Sequence, residues 1–151
     1  MRIGVISDTH GLLRPEALTA LRGVEHILHA GDVGDAGILD ALRKIAPVTA
    51  IRGNVDTTGP CGALAETDFV ELAGKIFFLV HSEHWLDIKP EAAGVAVVVS
   101  GHSHRPSIEI RNDIMYLNPG SAGPRRFNLP ITLAIVDVKN NEVTAKIVPL
   151  V

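Results

Sequence analysis

Five separate apolar runs of this chain end on an aspartate, an asparagine or a histidine. Arg2 to Ser7 leads into Asp8 and His10, and Glu25 to Ala30 into Gly31-Asp32. Pro47 to Ile51 leads into Gly53-Asn54, Lys75 to Val80 into His81, and Val95 to Ser100 into Gly101-His102-Ser103-His104. In the first half these strand-like runs alternate with helical patterns. Pro15 opens one, with Ala17, Leu18 and Leu21 on a shared face until Gly23 stops it. Asp35 to Ile45 forms the other, with Ile38, Leu39, Leu42 and Ile45 on one stripe. Strand, helix, strand, helix, strand implies right-handed crossovers and a parallel core. Loops at the carboxyl ends of such strands converge on one crevice, so the pattern predicts that the polar residues meet there.

The second half is richer in strands. Asp68 to Ala73 and Lys75 to Val80 flank Gly74 as a hairpin, and Val95 to Ser100 has the continuous apolar character of a strand buried on both faces. Ser107 to Arg111 pairs with Ile114 to Leu117 across Asn112-Asp113, and Ile131 to Val138 with Glu142 to Val148 across Asn140-Asn141. A helix is expected over Glu83 to Ala93, limited by Pro90. With 151 residues and neither repeat nor linker, the expectation is one α/β domain over 1–151. Hydrophobic residues make up 46% of the chain and aromatics only 4%, so the core must be aliphatic. A net charge of −3 argues against a nucleic-acid polymer as partner. The longest apolar stretches, such as Val95 to Val99, fall far short of the ~20 residues of a spanning helix. No export signal is evident either, so no membrane partner is expected and the expected compartment is the cytoplasm. Cys61, the single cysteine, reads as an ordinary thiol.

The crevice would collect Asp8, His10, Asp32, Asn54, His81, His102 and His104. Seven nitrogen and oxygen donors exceed the needs of one ion, and the lack of thiolates fits a structural zinc site poorly. A mixed carboxylate–imidazole set with one shared carboxylate suits two divalent ions about 3.5–4 Å apart. Such a pair lowers the pKa of a bridging water and clamps phosphoryl oxygens during in-line displacement. In Asp8/His10 and His102/His104 the spacing of two predicts an extended segment that points both side chains the same way.

Asp8-Thr9-His10, Gly31-Asp32, Gly53-Asn54-Val55-Asp56, His81 and Gly101-His102-Ser103-His104 together resemble the ordered motifs of the calcineurin-like metallophosphoesterases. Asn118-Pro119-Gly120-Ser121 is similar to a further segment of the small bacterial and archaeal phosphodiesterase-like branch, which includes the metallophosphoesterase-like subunit of retromer. The resemblance spans Met1 to about Arg126. It implies an α-β-β-α sandwich of two facing mixed sheets flanked by helices. It also implies that Asp8, His10 and His104 hold one metal, that Asn54, His81 and His102 hold a second, and that Asp32 bridges both. Manganese is the ion this branch suggests, with magnesium, iron, nickel, cobalt and zinc also compatible with such donors. Dimers or tetramers are implied by the same resemblance.

Two positions depart from that pattern. Many members carry a histidine after the asparagine of the third motif as general acid; here Val55 can neither donate nor accept a proton. Ser82 stands where a glycine usually follows the metal-binding histidine, which implies a different local backbone, and His84 is a candidate replacement proton donor. Arg126, after the Asn118-to-Ser121 turn, is the candidate phosphate-binding guanidinium, with Arg52 and Arg105 as rim residues. His29 reads as a half-buried strand histidine, with orientation of Asp32 as its alternative role, and Trp85 as a packing anchor. The reading that follows is a metal-dependent phosphodiesterase with catalytic Asn54, acting on small or nucleotide-like diesters. A non-catalytic scaffold like the retromer subunit, or a phosphomonoesterase or protein phosphatase of the same superfamily, is the alternative.

Overall fold

Ile3 and Val5 of strand β1 (Arg2–Ile6) pack into one core and Ile6 into another, and this alternation organises the molecule. The computed structural model describes residues 1–151. Strand β1 pairs in parallel with β2 (His26–His29), and β2 with β3 (Val48–Ala50). The connecting helices are α1 (Pro15–Ala20) and α2 (Ala36–Arg43), the latter capped by Asp35, which accepts the Gly37 N–H at 2.9 Å. Their residues Ala17, Ile38, Leu39 and Leu42 cover the outer face of the sheet against Ile6 and Ile27. Gly4 belongs to this contact, since a Cβ there would collide with Leu21.

A one-turn helix α3 (Gly59–Gly62), which the sequence pattern did not signal, links this half to β4 (Thr67–Leu72) and β5 (Lys75–Val80). The chain continues through β6 (Val95–Val99), β7 (Ser107–Arg111) and β8 (Ile114–Asn118), then closes with β9 (Thr132–Lys139) and β10 (Glu142–Pro149). Two five-stranded mixed sheets result, in the orders β10-β9-β1-β2-β3 and β4-β5-β6-β8-β7. They face each other through an apolar core in which Ile3, Val5 and Leu28 meet Phe77, Leu79 and Val97; it is aliphatic except for Phe77. Strands β5, β6 and β8 run parallel, as β1, β2 and β3 do.

The expected layered sandwich is present, with one correction to its outermost layer. Instead of a helix over 83–93, the chain makes a single 3₁₀ turn at Glu83–Trp85. Leu86 and Ile88, two residues apart, then both reach the cluster of Phe78, Val80 and Val98. That spacing suits extended backbone rather than a helix, and Pro90 has no N–H to extend one. No helix is long and apolar enough to cross a membrane.

Candidate metal centre

Six acidic and imidazole side chains converge where the two sheets meet. Asp8, His10 and His104 form one group and Asp32, His81 and His102 a second, the donor atoms of each lying within 4.8 Å of one another. The groups touch. His10 Nε2 stands 3.7 Å from Asp8 Oδ1 and 3.5 Å from Asp32 Oδ2, while His81 Nε2 stands 3.2 Å from Asp32 Oδ2 and 3.8 Å from Asp8 Oδ1. His104 Nε2 lies 3.5 Å from Asp8 Oδ1. Asp32 thus faces donors of both groups. Asn54 follows β3 at the edge of the same crevice, exposed and lining a cavity beside Trp85.

The spacing of two does not produce extended segments here. Asp8, His10, Asp32, His102 and His104 all adopt left-handed backbone, with φ between 46° and 71°. The tight turns this produces send His102 to one group and His104 to the other, rather than both the same way. Five non-glycine residues held in this region represent stored strain of the kind found at functional sites. Ser82, by contrast, has φ −122° and ψ 133°, ordinary extended backbone that does not require glycine.

The donor set fits a small divalent cation. Asp8 Oδ1, His10 Nε2, His81 Nε2 and His104 Nε2 are buried without a hydrogen-bond partner, a costly arrangement unless a cation meets them. The His81 ring is oriented by its Nδ1–H, which donates to the Ala30 carbonyl at 2.7 Å and turns the Nε2 lone pair toward the carboxylates. Ligands about 2.1 Å from one ion lie about 3 Å or slightly more apart, close to the separations present here.

Burial opposes charge on Asp32, but His81, the Val55 N–H and His10 outweigh it and hold its carboxyl near pKa 2. Asp8 is likewise lowered, burial being overcome by His10, His81, Ser7 and His104. His81 is raised, since Asp32, the Ala30 carbonyl and Asp8 overcome its burial. His104 is lowered by burial, with Arg126 and His10 acting in the same direction against Asp8. Arg126 is therefore near enough to the centre to be felt there, whereas Arg125 donates to the Leu129 carbonyl. His84 and Arg105 line a cavity of about 550 Å³ together with His102.

The residues that hold these loops stand in or beside the motifs, but the sequence did not indicate which contacts they make. Asp56 is buried, and its carboxylate accepts the N–H groups of Val33, Gly34 and Gly53 at 3.1, 3.0 and 2.9 Å. It locks the Asp32 loop to the Asn54 loop. At Gly53 the two loops press so closely that a Cβ would strike Asp32 Oδ1, and at Gly101 a Cβ would strike Ser7 Oγ. His29 is fully buried, not half-buried. Its Nδ1 accepts the Gly31 N–H, so Nε2–H donates to Thr9 Oγ1, which in turn donates to the Val33 carbonyl. Burial lowers its pKa to about 4, keeping the ring neutral. Asn118 donates to the Gly101 carbonyl and to Ser103 Oγ, and Ser121 donates to the Asp8 carbonyl. The available signal was that Asp56, Asn118 and Ser121 stand within the glycine-containing motifs themselves. Trp85 is 52% exposed and is no packing anchor.

Two sheets whose strand ends deliver a carboxylate–imidazole cluster define a metallophosphoesterase-type domain. Residues 1–141 match the model of the calcineurin-like phosphoesterase superfamily domain, and the chain belongs to that superfamily. It is 34% identical to a Methanocaldococcus jannaschii protein named as a probable metallophosphoesterase, over 99% of this chain and 82% of the relative. It is 29% identical to phosphodiesterase YfcE of Escherichia coli K12, over 91% of this chain and 88% of the relative. Among solved structures, an archaeal phosphodiesterase superposes with TM-score 0.80 at 24% identity, covering 98% of this chain and 100% of that one. Zinc-complexed Vps29 of Entamoeba histolytica superposes at 0.75 with 20% identity, covering 99% of both chains. The family and the named relatives support a hydrolase of phosphoric esters.

Proposed function

We propose that this protein is a metal-dependent phosphodiesterase acting on small diesters. The observation that carries the reading is the pair of touching donor groups, with Asp32 Oδ2 within 3.5 Å of a histidine from each. Asp8, His10 and His104 would hold one ion, Asn54, His81 and His102 a second, and Asp32 would bridge them. Divalent ions bound there supply an activated water and neutralise charge on the phosphoryl oxygens. Manganese leads the possibilities, and zinc is the ion in the Vps29 complex.

The protein's own residues account for the rest. Asp8 and Asp32, both held ionised, offset the positive charge of the ions, while the Ala30 carbonyl fixes the tautomer of His81. Arg126, whose charge acts on His104, would supply a guanidinium for a phosphoryl oxygen. Val55 offers the leaving group no proton, which favours substrates with good leaving groups. His84, which lines one cavity with His102, is the candidate proton donor.

A second observation favours diesters over monoesters. The 3₁₀ turn Glu83–Trp85 separates two cavities, one lined by Trp85 and Asn54, the other by His84 and His102. Two openings beside one phosphoryl site suit two ester substituents. The test is to compare bis-p-nitrophenyl phosphate with p-nitrophenyl phosphate on the manganese-loaded protein. Higher kcat/KM for the diester is expected; preference for the monoester would favour the phosphomonoesterase reading.

A further inference from the structure

Trp85 is the chain's only tryptophan, and half of its surface is exposed beside the candidate metal centre. Its ring centroid lies 5.5 Å from that of His102 and 5.9 Å from that of His81. The turn that carries it is anchored on both sides. Its own N–H donates to the Ser82 carbonyl at 2.9 Å, and Leu86 and Ile88 just beyond are seated in the apolar cluster over the second sheet. The indole lies beside two imidazoles at one edge of the crevice and lines a cavity of about 430 Å³. That volume is within the range of small-molecule sites.

The other walls are polar. Asn54 joins the cavity to the metal centre, and neither its side chain nor that of Asp87 makes a hydrogen bond elsewhere in the protein. Arg52 is held in the wall by the Gly62 carbonyl at 3.0 Å and by Glu66 at 2.6 Å, so its charge is already partnered. An exposed aromatic ring lining the same cavity as a free carboxylate suits a flat ring with hydrogen-bond donors on its edge. A nucleobase combines a flat π face with edge donors, whereas an alkyl alcohol or a bare sugar has donors but no π face.

We propose that Trp85 is the stacking platform of a nucleobase subsite, with Asp87 reading the base edge. The site's substrate class is then a phosphodiester with at least one nucleoside substituent. This rests on the phosphodiesterase reading for the identity of the phosphoryl site. Stacking of a base on an exposed aromatic ring gives about a tenfold gain in affinity or more.

The lone tryptophan makes the test direct. Manganese-loaded protein is titrated with adenosine 5′-monophosphate and, separately, with ribose 5-phosphate, following tryptophan fluorescence and the heat of binding. The nucleotide should quench the fluorescence saturably and bind about tenfold more tightly than the sugar phosphate. Trp85→Leu should bring the two affinities together, and Trp85→Phe should keep most of the gap. Affinities within about twofold in the unaltered protein, or a gap that survives Trp85→Leu, overturn the subsite. Turnover of bis-p-nitrophenyl phosphate on the same sample separates the two claims. Turnover without nucleotide preference removes the subsite and leaves the phosphodiesterase, whereas nucleotide-selective quenching without turnover for any divalent ion does the reverse.

Discussion

His81 Nε2 stands 3.2 Å from Asp32 Oδ2, and the Ala30 carbonyl holds the ring so that this nitrogen carries no proton when the imidazole is neutral. A lone pair and a carboxylate oxygen repel at that range, so a cation between them stabilises the fold. Saturating manganese should therefore raise the melting temperature of chelator-treated protein by about 5–10 °C, from roughly 2.7 kcal/mol at a hundredfold excess over Kd. His81→Phe should remove most of that rise. A melting curve insensitive to divalent ions would contradict the assignment.

Asp56 joins the loops that carry Asp32 and Asn54 through three backbone N–H groups. An asparagine in its place would present one acceptor oxygen and turn an amide N–H₂ toward donors. Asp56→Asn should destabilise the protein by about 2–3 kcal/mol, or about 5–10 °C in melting temperature. Its turnover should fall as well, because both loops shift. Chemical denaturation and diester hydrolysis measure the two effects, and an unchanged melting temperature would exclude the clamp.

His29 predicts a pH dependence in the metal-free protein. Burial lowers its pKa to about 4 in the fold, against about 6.5 in the unfolded chain. Below 6.5 the unfolded chain takes up a proton that the fold refuses, so stability is lost as the pH falls from about 6.5 to about 4 and levels off below. The loss is roughly 3 kcal/mol. His81 has the opposite sign: its raised pKa stabilises the fold below 6.5, and that contribution is lost as the pH rises through its folded value. Comparing His29→Gln with the unaltered protein cancels His81. The variant should lose about 3 kcal/mol less between about pH 7 and 4 in urea titrations, and parallel curves would contradict this.

The strand ends were legible because apolar runs and their terminal Asp, Asn or His residues are local features, and parallel topology dictates where such ends gather. The split between His102 and His104 was not legible from spacing, because it depends on left-handed turns in which glycine neighbours admit close packing. The resemblance carried that split where periodicity misled. Asp56 and His29 were hidden for a different reason. Each acts on groups far away in sequence, Asp56 on Val33 and His29 on Thr9, and only the tertiary fold brings those partners together. The missing helix over 83–93 shows the same limit, since Leu86 and Ile88 are claimed by an apolar cluster that requires extended spacing.

Val55 is 44% exposed, and its hydrogen bonds are made by the backbone alone, the N–H donating to Asp32 Oδ1 at 3.0 Å and the carbonyl accepting from the Thr57 N–H at 3.1 Å. Val55→His keeps that bond and adds a proton donor at the site's mouth. Hydrolysis of esters with poor leaving groups, such as methyl phenyl phosphate, should rise about tenfold or more, while p-nitrophenyl esters change little. An equal effect on both classes would show that the histidine does not act as a general acid.

The central claim is that this carboxylate–imidazole cluster hydrolyses phosphodiesters through bound divalent ions. The most direct measurement is bis-p-nitrophenyl phosphate hydrolysis by chelator-stripped protein, before and after stepwise addition of manganese, alongside Asp32→Asn. Turnover should be absent in the stripped protein, return with the metal, and fall by about a hundredfold or more in the variant. Metal binding without turnover for any divalent ion, or turnover that survives both chelation and Asp32→Asn, would contradict it.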